Sequence, residues 1–452
     1  MKVKEPALVC GMGRCRLDRA KVVLLYLLPI NFLFVSFCGF YFFKTNSSVE
    51  PVILAISSPV GKGAMSPRLS TAGQRLYMTW LEPDQPTQAN SVDGLWHLKW
   101  ARWLPERQIW TPGATIYSST QLFVNWADAP SMIALSETEF YAHWLEKNRP
   151  DAPYAYDIQL AHSDDGGEHW QSIGRIDRAQ KAHQHSYDGF LTFVPARKAG
   201  NDARAFWISA RAGESSKTDP KGVIKPRMTL QTRLLGGDEN VALELDSDIC
   251  SCCTTTAVQT GEGPIVFYRN HTPEEIRDIY SVRQQQGLWL PPEPVYNDGW
   301  EIHGCPVNGP KAVSNDEQVA VVWYTSAGGK PRIMLAWSHD SGEQFGEPVD
   351  IDGISPAGPV GRLGFAITSR GEAVVSWVAQ LGADNTPSIL LRQVGESGAM
   401  SDYFKVAEVA PGRSAGIPQL ALIGNQIYLA WTQDDDVVVA RVALDQVPAL
   451  SK

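Results

Sequence analysis

The chain has no basic charge to spare. Its 40 Lys and Arg residues face 49 Asp and Glu, giving a net charge of -9 and a pI near 5.5, so nucleic acid is not expected as a partner. Cysteine is scarce as well, with seven in 452 residues. Cys10, Cys15 and Cys38 lie near the N-terminus, and the other four, Cys250, Cys252, Cys253 and Cys305, fall in two short stretches. Charge is missing altogether from Val22 to Phe43, a run of 22 residues between Lys21 and Lys44. That is long enough to cross a hydrocarbon core of about 30 Å as a helix. Six basic residues against Glu5 and Asp18 precede it, so the positive-inside rule puts the N-terminus in the cytoplasm. The run ends Phe40-Tyr-Phe-Phe43 with no small-residue cleavage site, which argues against a removed signal peptide. The expectation is a single-pass inner (cytoplasmic) membrane protein. Residues 1–21 form a cytoplasmic tail, 22–43 the transmembrane helix, and everything beyond is periplasmic or extracellular.

What is abundant is the short apolar strand ending in an aromatic. Asn308 to Phe345 displays one full unit: an apolar segment from Asn308-Gly309-Pro310, a strand Val319–Trp323, a turn at Gly328-Gly329 and a strand Arg332–Ala336. β-branched and aromatic runs bounded by Gly, Asn, Asp and Pro are strand signals, and their close spacing suggests an antiparallel meander. Relatives of the second strand end at Trp80, Trp144, Trp207, Tyr268, Trp323, Trp377 and Trp431, at intervals of 64, 63, 61, 55, 54 and 54 residues. Self-similarity at this period, with four short strands per copy, is the signature of a β-propeller. The fold class expected is therefore all-β, a seven-bladed propeller of four-stranded antiparallel blades over residues 65–446, with 447–452 as a tail. The last copy holds only three strands, and Val52–Ile56 in the 44–64 linker has no partner of its own. Pairing the two closes the ring and protects its edges.

Two copies carry a sharper pattern, Ser-x-Asp-x-Gly-x-x-aromatic, at Ser163, Asp165, Gly167 and Trp170 and again at Ser338, Asp340, Gly342 and Phe345. The Asp bonds backbone amides, the Gly takes a conformation closed to other residues, and the aromatic packs beneath. Here the sequence resembles the sialidase superfamily of BNR or Asp-box repeat propellers. It is most similar to a bacterial "sialidase family" group through Phe123-Val-Asn-Trp-Ala-Asp128, Ala142-His-Trp144, Cys250-Ser-Cys252-Cys253, Tyr268-Arg269, Arg277-Asp278-Ile279, Asp298-Gly-Trp300 and Gly304-Cys-Pro-Val-Asn-Gly-Pro310. The resemblance implies that the Asp boxes are structural and face away from the ligand side. It leaves six blades, the number in true sialidases, as the alternative to seven. Fold alone transfers no activity.

In a propeller the first strand of each blade starts at the ligand face, and the loop from second to third strand reaches the same face. Binding candidates are therefore Asp128, Asp188, His303, Asn308, Arg277 and Asp278, with His185, Arg413, Glu82 and Glu146 at similar positions and His183 beside His185. Trp126, Trp144 and Trp300 lie near these entrances, whereas most of the 15 Trp residues are expected in the core. The sialidase resemblance implies three arginines that hold a carboxylate, a Tyr nucleophile activated by a Glu, and an Asp acid/base. Candidates for the first are Arg68, Arg362 and one of Arg211, Arg269 or Arg332, since a guanidinium pairs bidentately with a carboxylate. Tyr296 and Glu301 flank Asp298-Gly-Trp300 as candidates for the pair. The sialidase Arg-Ile-Pro motif is absent, and Ser66-Pro-Arg68 stands in its place.

Four cysteines in an oxidising compartment suggest two disulfides. A vicinal bond between Cys252 and Cys253 would be strained, so Cys305 is expected to bridge to one of the cluster while two others, such as Cys250 and Cys253, close a small ring. The alternative is a soft-metal site, copper or zinc on Cys250, Cys252, Cys253 and Cys305. No cofactor is otherwise expected. The sequence thus favours a membrane-anchored binding or interaction module with a cysteine-lined axial pocket for a glycan, an anionic ligand or a membrane protein partner. A sialidase-type glycoside hydrolase is the alternative, and metal handling a further one.

Overall fold

The computed structural model describes residues 52–451 apart from 86–93, 150–151, 153, 178–186, 197–201, 212–216, 219–223, 226, 237–240, 354, 357 and 382–385. The expected transmembrane segment 22–43, with Cys10, Cys15 and Cys38, lies outside the described residues, as do His183 and His185. Among the described residues no helix is long and apolar enough to cross a membrane.

Seven antiparallel blades follow one another in sequence, each built of four main strands. Blade 1 comprises Met65–Ala72, Arg75–Pro83, Trp96–Leu104 and Ala114–Ser119. Blade 2 runs from Ser131–Ala134 to Gln171–Arg175, blade 3 from Asp188–Pro195 to Leu243–Ser247, and blade 4 from Thr256–Gln259 to Glu293–Pro294. Blade 5 spans Lys311–Asn315 to Val349–Asp350, and blade 6 Pro359–Ile367 to Phe404–Glu408. Blade 7 takes Gln419–Ile423, Gln426–Gln433 and Asp436–Ala443 from the C-terminal end. Its fourth strand is Leu54–Ile56, paired Leu54 to Arg441 and Ile56 to Val439. The terminal residues are not a loose tail. Val447 is buried, and Ser451 donates its amide to Met400 of blade 6 at 3.1 Å.

Second strands are buried on both sides, which is why they read as predominantly apolar runs; every residue of Pro264–Arg269 is buried. The core is seven clusters, one between each pair of neighbouring blades. Between blades 1 and 2, Tyr77 and Leu81 pack against Phe140 and Trp144. In five blades the second strand ends in a Trp whose indole N–H donates to a nearby side chain. The pairs are Trp80 to Glu82 at 2.8 Å, Trp207 to Asp188 at 3.3 Å, Trp323 to Asp298 at 2.6 Å, Trp377 to Asp352 at 2.7 Å and Trp431 to Gln433 at 3.0 Å. A buried indole left without an acceptor costs about 1–3 kcal/mol, so the repeated acceptor lets a large aromatic be buried without that penalty.

Both Asp boxes form as the pattern requires. Ser163 donates to Asp165 at 2.8 Å and accepts the Gly167 amide at 2.9 Å. Ser338 donates to Asp340 at 2.6 Å and accepts the Gly342 amide at 2.9 Å. Gly167 and Gly342 have φ of 86° and 79°, and each abuts the preceding blade. A Cβ at Gly167 would overlap Trp100 of blade 1, and one at Gly342 would meet Ile265 of blade 4 at 2.5 Å. The box is therefore a blade-to-blade spacer as well as a turn.

Candidate functional site

At the face opposite the Asp boxes, three first strands enter the ring through a β-bulge carrying a residue at positive φ: Ser66 in blade 1, Phe190 in blade 3 and Arg362 in blade 6. Bulges re-aim side chains and amides. The one in blade 3 points the Phe190 amide at the Asp128 carboxylate, 2.9 Å away. A Cβ at the adjoining Gly189 would overlap that carboxylate.

Asp128 lies at the inner end of a pocket of about 380 Å³ walled by Phe123, Trp126, Tyr154, Tyr156, Tyr187 and Phe190, with Cys252, Cys305 and Arg413 at its rim. Phe123 and Tyr156 stack at 4.0 Å, and Tyr156 meets Tyr187 edge-on at 4.9 Å. The Tyr156 hydroxyl donates to Asp128 at 2.9 Å. Burial pushes the Asp128 carboxyl up to about 7, although the Phe190 amide, Tyr156 and Arg68 all favour its ionised form. Such a carboxyl can give or take a proton near neutrality. Burial holds the Tyr156 and Tyr187 phenols well above their ordinary range, the reverse of an activated nucleophile.

Behind the pocket runs the axial channel, about 850 Å³, lined by first strands. Arg68 projects into it and donates to the Ala127 carbonyl at 2.9 Å. Burial, then the Arg68 charge, pushes Lys311 down to about 7 and His143 down to about 3.

The arginines do not assemble into a carboxylate clamp. Arg269, 1% exposed, donates to the carbonyls of Asn308, Arg277 and Tyr324 at 2.5–3.2 Å, with its guanidinium 4.8 Å from the Trp300 ring centre. It is a rivet between blades 4 and 5. Arg362 donates to the Gly412 carbonyl, and its guanidinium lies 5.3 Å from the Trp126 ring centre, with that of Arg413 at 5.9 Å. Arg332 opens the third strand of blade 5 with its Nε buried and unpartnered. The Arg211 side chain lies outside the described residues.

Tyr296 and Glu301 are exposed, and Glu301 instead meets His303 at 3.2 Å. A Tyr–Glu hydrogen bond does occur at Tyr117 and Glu146, 2.8 Å apart. Tyr117 is on the outer strand of blade 1, stacked on Trp144, away from the axial pocket.

Several other candidates are structural. Asp278 accepts the amides of Gly299 and Trp300, both at 2.9 Å. Asp188 caps Trp207, and Glu82 accepts from Gly61, Trp80 and Lys99. The Asn308 side chain ties blade 5 to blade 6 through the Val360 carbonyl and the Arg362 amide, each at 3.0 Å.

Cys252 and Cys305 are bonded, while Cys250 and Cys253 remain free and buried. The expected second bridge does not form, although these two sulfurs lie only 3.7 Å apart. Cys250 Sγ also sits 3.8 Å from Cys252 Sγ and accepts from Arg277 at 3.4 Å. The Cys253 hydrogen bond, followed by Arg269 and Arg277 among the charges, favours the Cys250 thiolate over the burial that opposes it. Burial and the neighbouring thiolate keep the proton on Cys253. With Cys252 in a disulfide, the three clustered sulfurs do not present a full thiolate set for copper or zinc.

The pocket aromatics Tyr154, Tyr156 and Tyr187 were not among the residues singled out from the sequence. The signal for Tyr156 is its place at the start of a third strand, on the same face as the loops from second to third strands.

No family model matches the chain, and no curated protein does. Among solved structures the chain is similar to a Mycobacterium tuberculosis puromycin-hydrolyzing peptidase at 12% identity and a TM-score of 0.49, over 89% of this chain and 57% of that one. It is also similar to a mutant of NanB sialidase from Streptococcus pneumoniae at 9% identity and a TM-score of 0.41, over 87% and 94% of the two chains. A third is the GH93 alpha-L-arabinofuranosidase of Fusarium graminearum, at 13% identity and a TM-score of 0.43, over 71% and 94%. The chain thus spans little more than half of the peptidase's length. At these identities the likeness is one of fold, and the chemistry of the site follows from this chain's own residues.

Proposed function

We propose that the propeller is a ligand-binding module whose axial pocket takes an anionic glycan. The observation that carries this reading is the pocket mouth, where Arg362 and Arg413 both lie within 6 Å of the Trp126 ring centre above walls of Phe123, Tyr154 and Tyr187. Aromatic faces suit the apolar faces of sugar rings, and guanidinium groups suit a carboxylate or sulfate. Asp128 keeps its proton up to about pH 7, so the inner end of the pocket carries no charge to repel an anion. The uncharged run 22–43 anchors the module in the membrane in this reading.

Titration calorimetry of the full-length chain in detergent tests it, with sialylated and uronate-containing oligosaccharides and their neutral counterparts. The expected result is binding of acidic glycans only, weakened at least about tenfold, or 1.4 kcal/mol, by Trp126→Ala. Equal binding of neutral glycans, no binding at all, or indifference to Trp126→Ala overturns it.

A further inference from the structure

The buried sulfurs beside the pocket are arranged for chemistry that the ligand-binding reading does not use. Cys250 and Cys253 are each 1% exposed, whereas Cys305, at the pocket rim, is exposed. Cys250 Sγ is the meeting point, 3.8 Å from the disulfide-bonded sulfur of Cys252, 3.7 Å from Cys253 Sγ and 3.4 Å from the Arg277 guanidinium. The segment carrying Cys305 is fixed against this cluster. The Asn308 side chain makes two hydrogen bonds to blade 6, and Gly309 lies so close to the Thr254 carbonyl that a Cβ would overlap it. Four sulfurs thus form a chain from the solvent to the interior, holding one disulfide and one dithiol.

We propose that these cysteines are a thiol–disulfide exchange relay that reduces a disulfide of a second molecule at the pocket rim. In the first step the Cys250 thiolate attacks Cys252 Sγ. The Cys252–Cys305 bond breaks and Cys305 leaves as a thiolate at the surface. Cys253 then loses its proton and attacks Cys250 Sγ, forming Cys250–Cys253 and expelling the Cys252 thiolate, which takes up that proton. The disulfide has moved inward with no outside oxidant. Next the Cys305 thiolate attacks the substrate disulfide, forming a mixed disulfide and releasing one substrate thiolate. Cys252 gives that proton up to solvent and, as its thiolate, attacks Cys305 Sγ, restoring Cys252–Cys305 and releasing the second. Two electrons have passed from Cys250 and Cys253 to the substrate. Exchange requires a thiolate with access to the sulfur it attacks, and the Cys253 hydrogen bond, with the charges of Arg269 and Arg277, favours one at Cys250, which Arg277 contacts directly.

Ellman's reagent, a small aromatic disulfide, is the probe. It is applied to the folded full-length chain purified without reductant, and the products are mapped by mass spectrometry after acid quench. The expected result is two thionitrobenzoate ions per chain, with Cys250–Cys253 newly bonded and Cys252–Cys305 intact. Cys250→Ser slows release at least about tenfold, Cys253→Ser stops at a linked Cys250–Cys252 intermediate, and Arg277→Gln slows the reaction while leaving near-ultraviolet dichroism unchanged. Since Cys250→Ser removes a buried sulfur, the Arg277→Gln result and the wild-type product map decide the matter if that variant does not fold. No thionitrobenzoate from folded wild type, release at an unchanged rate in Cys250→Ser or in Arg277→Gln, or copper or zinc bound to unlinked cysteines overturns the proposal.

Discussion

Aspartate is used in opposite ways on the two faces of this propeller. On the face of the Asp boxes, Asp165 and Asp340 are turn carboxylates surrounded by donors. The His169 amide and ring hold Asp165 down at about 2. At Asp340, burial works against ionisation, but the Ser338 hydroxyl and the amides of Gln344 and Glu343 outweigh it. On the axial face Asp128 also accepts an amide and a hydroxyl, yet burial wins and its carboxyl rises to about 7. The difference is water. A turn carboxylate keeps solvent on one side and gains every hydrogen bond as a net stabilisation of charge, whereas one sealed under aromatic rings has lost its hydration first. One face is thereby a set of rigid spacers and the other holds a proton that can move at neutral pH.

The sharpest way to break this contrast is to disturb the scaffold of the axial face alone. In Gly309→Ala the new methyl group would overlap the Thr254 carbonyl and its hydroxyl, the first of them backbone that cannot swing aside, and the expected loss is about 3 kcal/mol of stability in urea unfolding. A titration of stability with pH comes next. Because its carboxyl is raised in the folded state, Asp128 contributes stability that is complete below the ordinary carboxylate value of 3.8 and is lost as pH climbs through about 7. His143, depressed from 6.5 to about 3, gives the opposite slope over most of that range. Each slope reaches roughly 1.4 kcal/mol per pH unit, so the two nearly cancel in the wild type. In Asp128→Asn the cancellation is gone, and urea midpoints measured from about pH 4 to about pH 6.5 should rise. A wild-type profile that rises as steeply as the variant's would show that Asp128 is ionised in the folded chain.

On the other face, Gly342→Ala forces a side chain into positive φ against the movable tip of Ile265, and about 2 kcal/mol is the expected cost by thermal or urea unfolding. Removing the turn carboxylate itself, Asp340→Ala, leaves the Glu343 and Gln344 amides to water. A loss of about 1 kcal/mol is expected, with no change in glycan binding or in thiol release, because neither site is on that face.

The same contrast governs how much the sequence disclosed. The Asp boxes are local: Ser163, Asp165 and Gly167 bond within five residues of one another, so their spacing alone carries the turn. Second strands such as Ala373–Gln380 are equally legible, because burial on both faces forces a continuous apolar run. Fourth strands are not; Val349–Asp350 is one half-buried and one exposed residue at a blade edge with no pattern to read. The missing strand of the last copy points to Val52–Ile56, because an edge of that size needs a partner, and within it Leu54–Ile56 pairs with Asp436–Ala443.

At the axial face, position along the strand was enough to single out Asp128, but not to tell that it would be sealed by Tyr156 and Tyr187. Arg269 was legible as an entrance residue and illegible as a rivet. Its partners are the backbone carbonyls of Arg277, Asn308 and Tyr324, and a carbonyl leaves no trace in the identity of a residue. The cysteines show a third case. The Cys305 link to the 250–253 cluster was expected, yet which sulfur it takes, and that the other two stay reduced, depends on spacings of less than 4 Å set by two blades.

The seam between Leu54–Ile56 and Asp436–Ala443 also sets the order of events during synthesis. Each of the first six blades is completed from contiguous chain and can form as it emerges, at low cost in loop closure. The seventh waits for a strand made before the first blade to meet one made after the sixth. Until Ala443 leaves the ribosome, the nascent chain is an open arc with a bare edge at either end, each a template for pairing with a neighbour. A chain stopped before Asp436 never escapes that condition, and should accumulate as aggregate although six of its seven blades are intact.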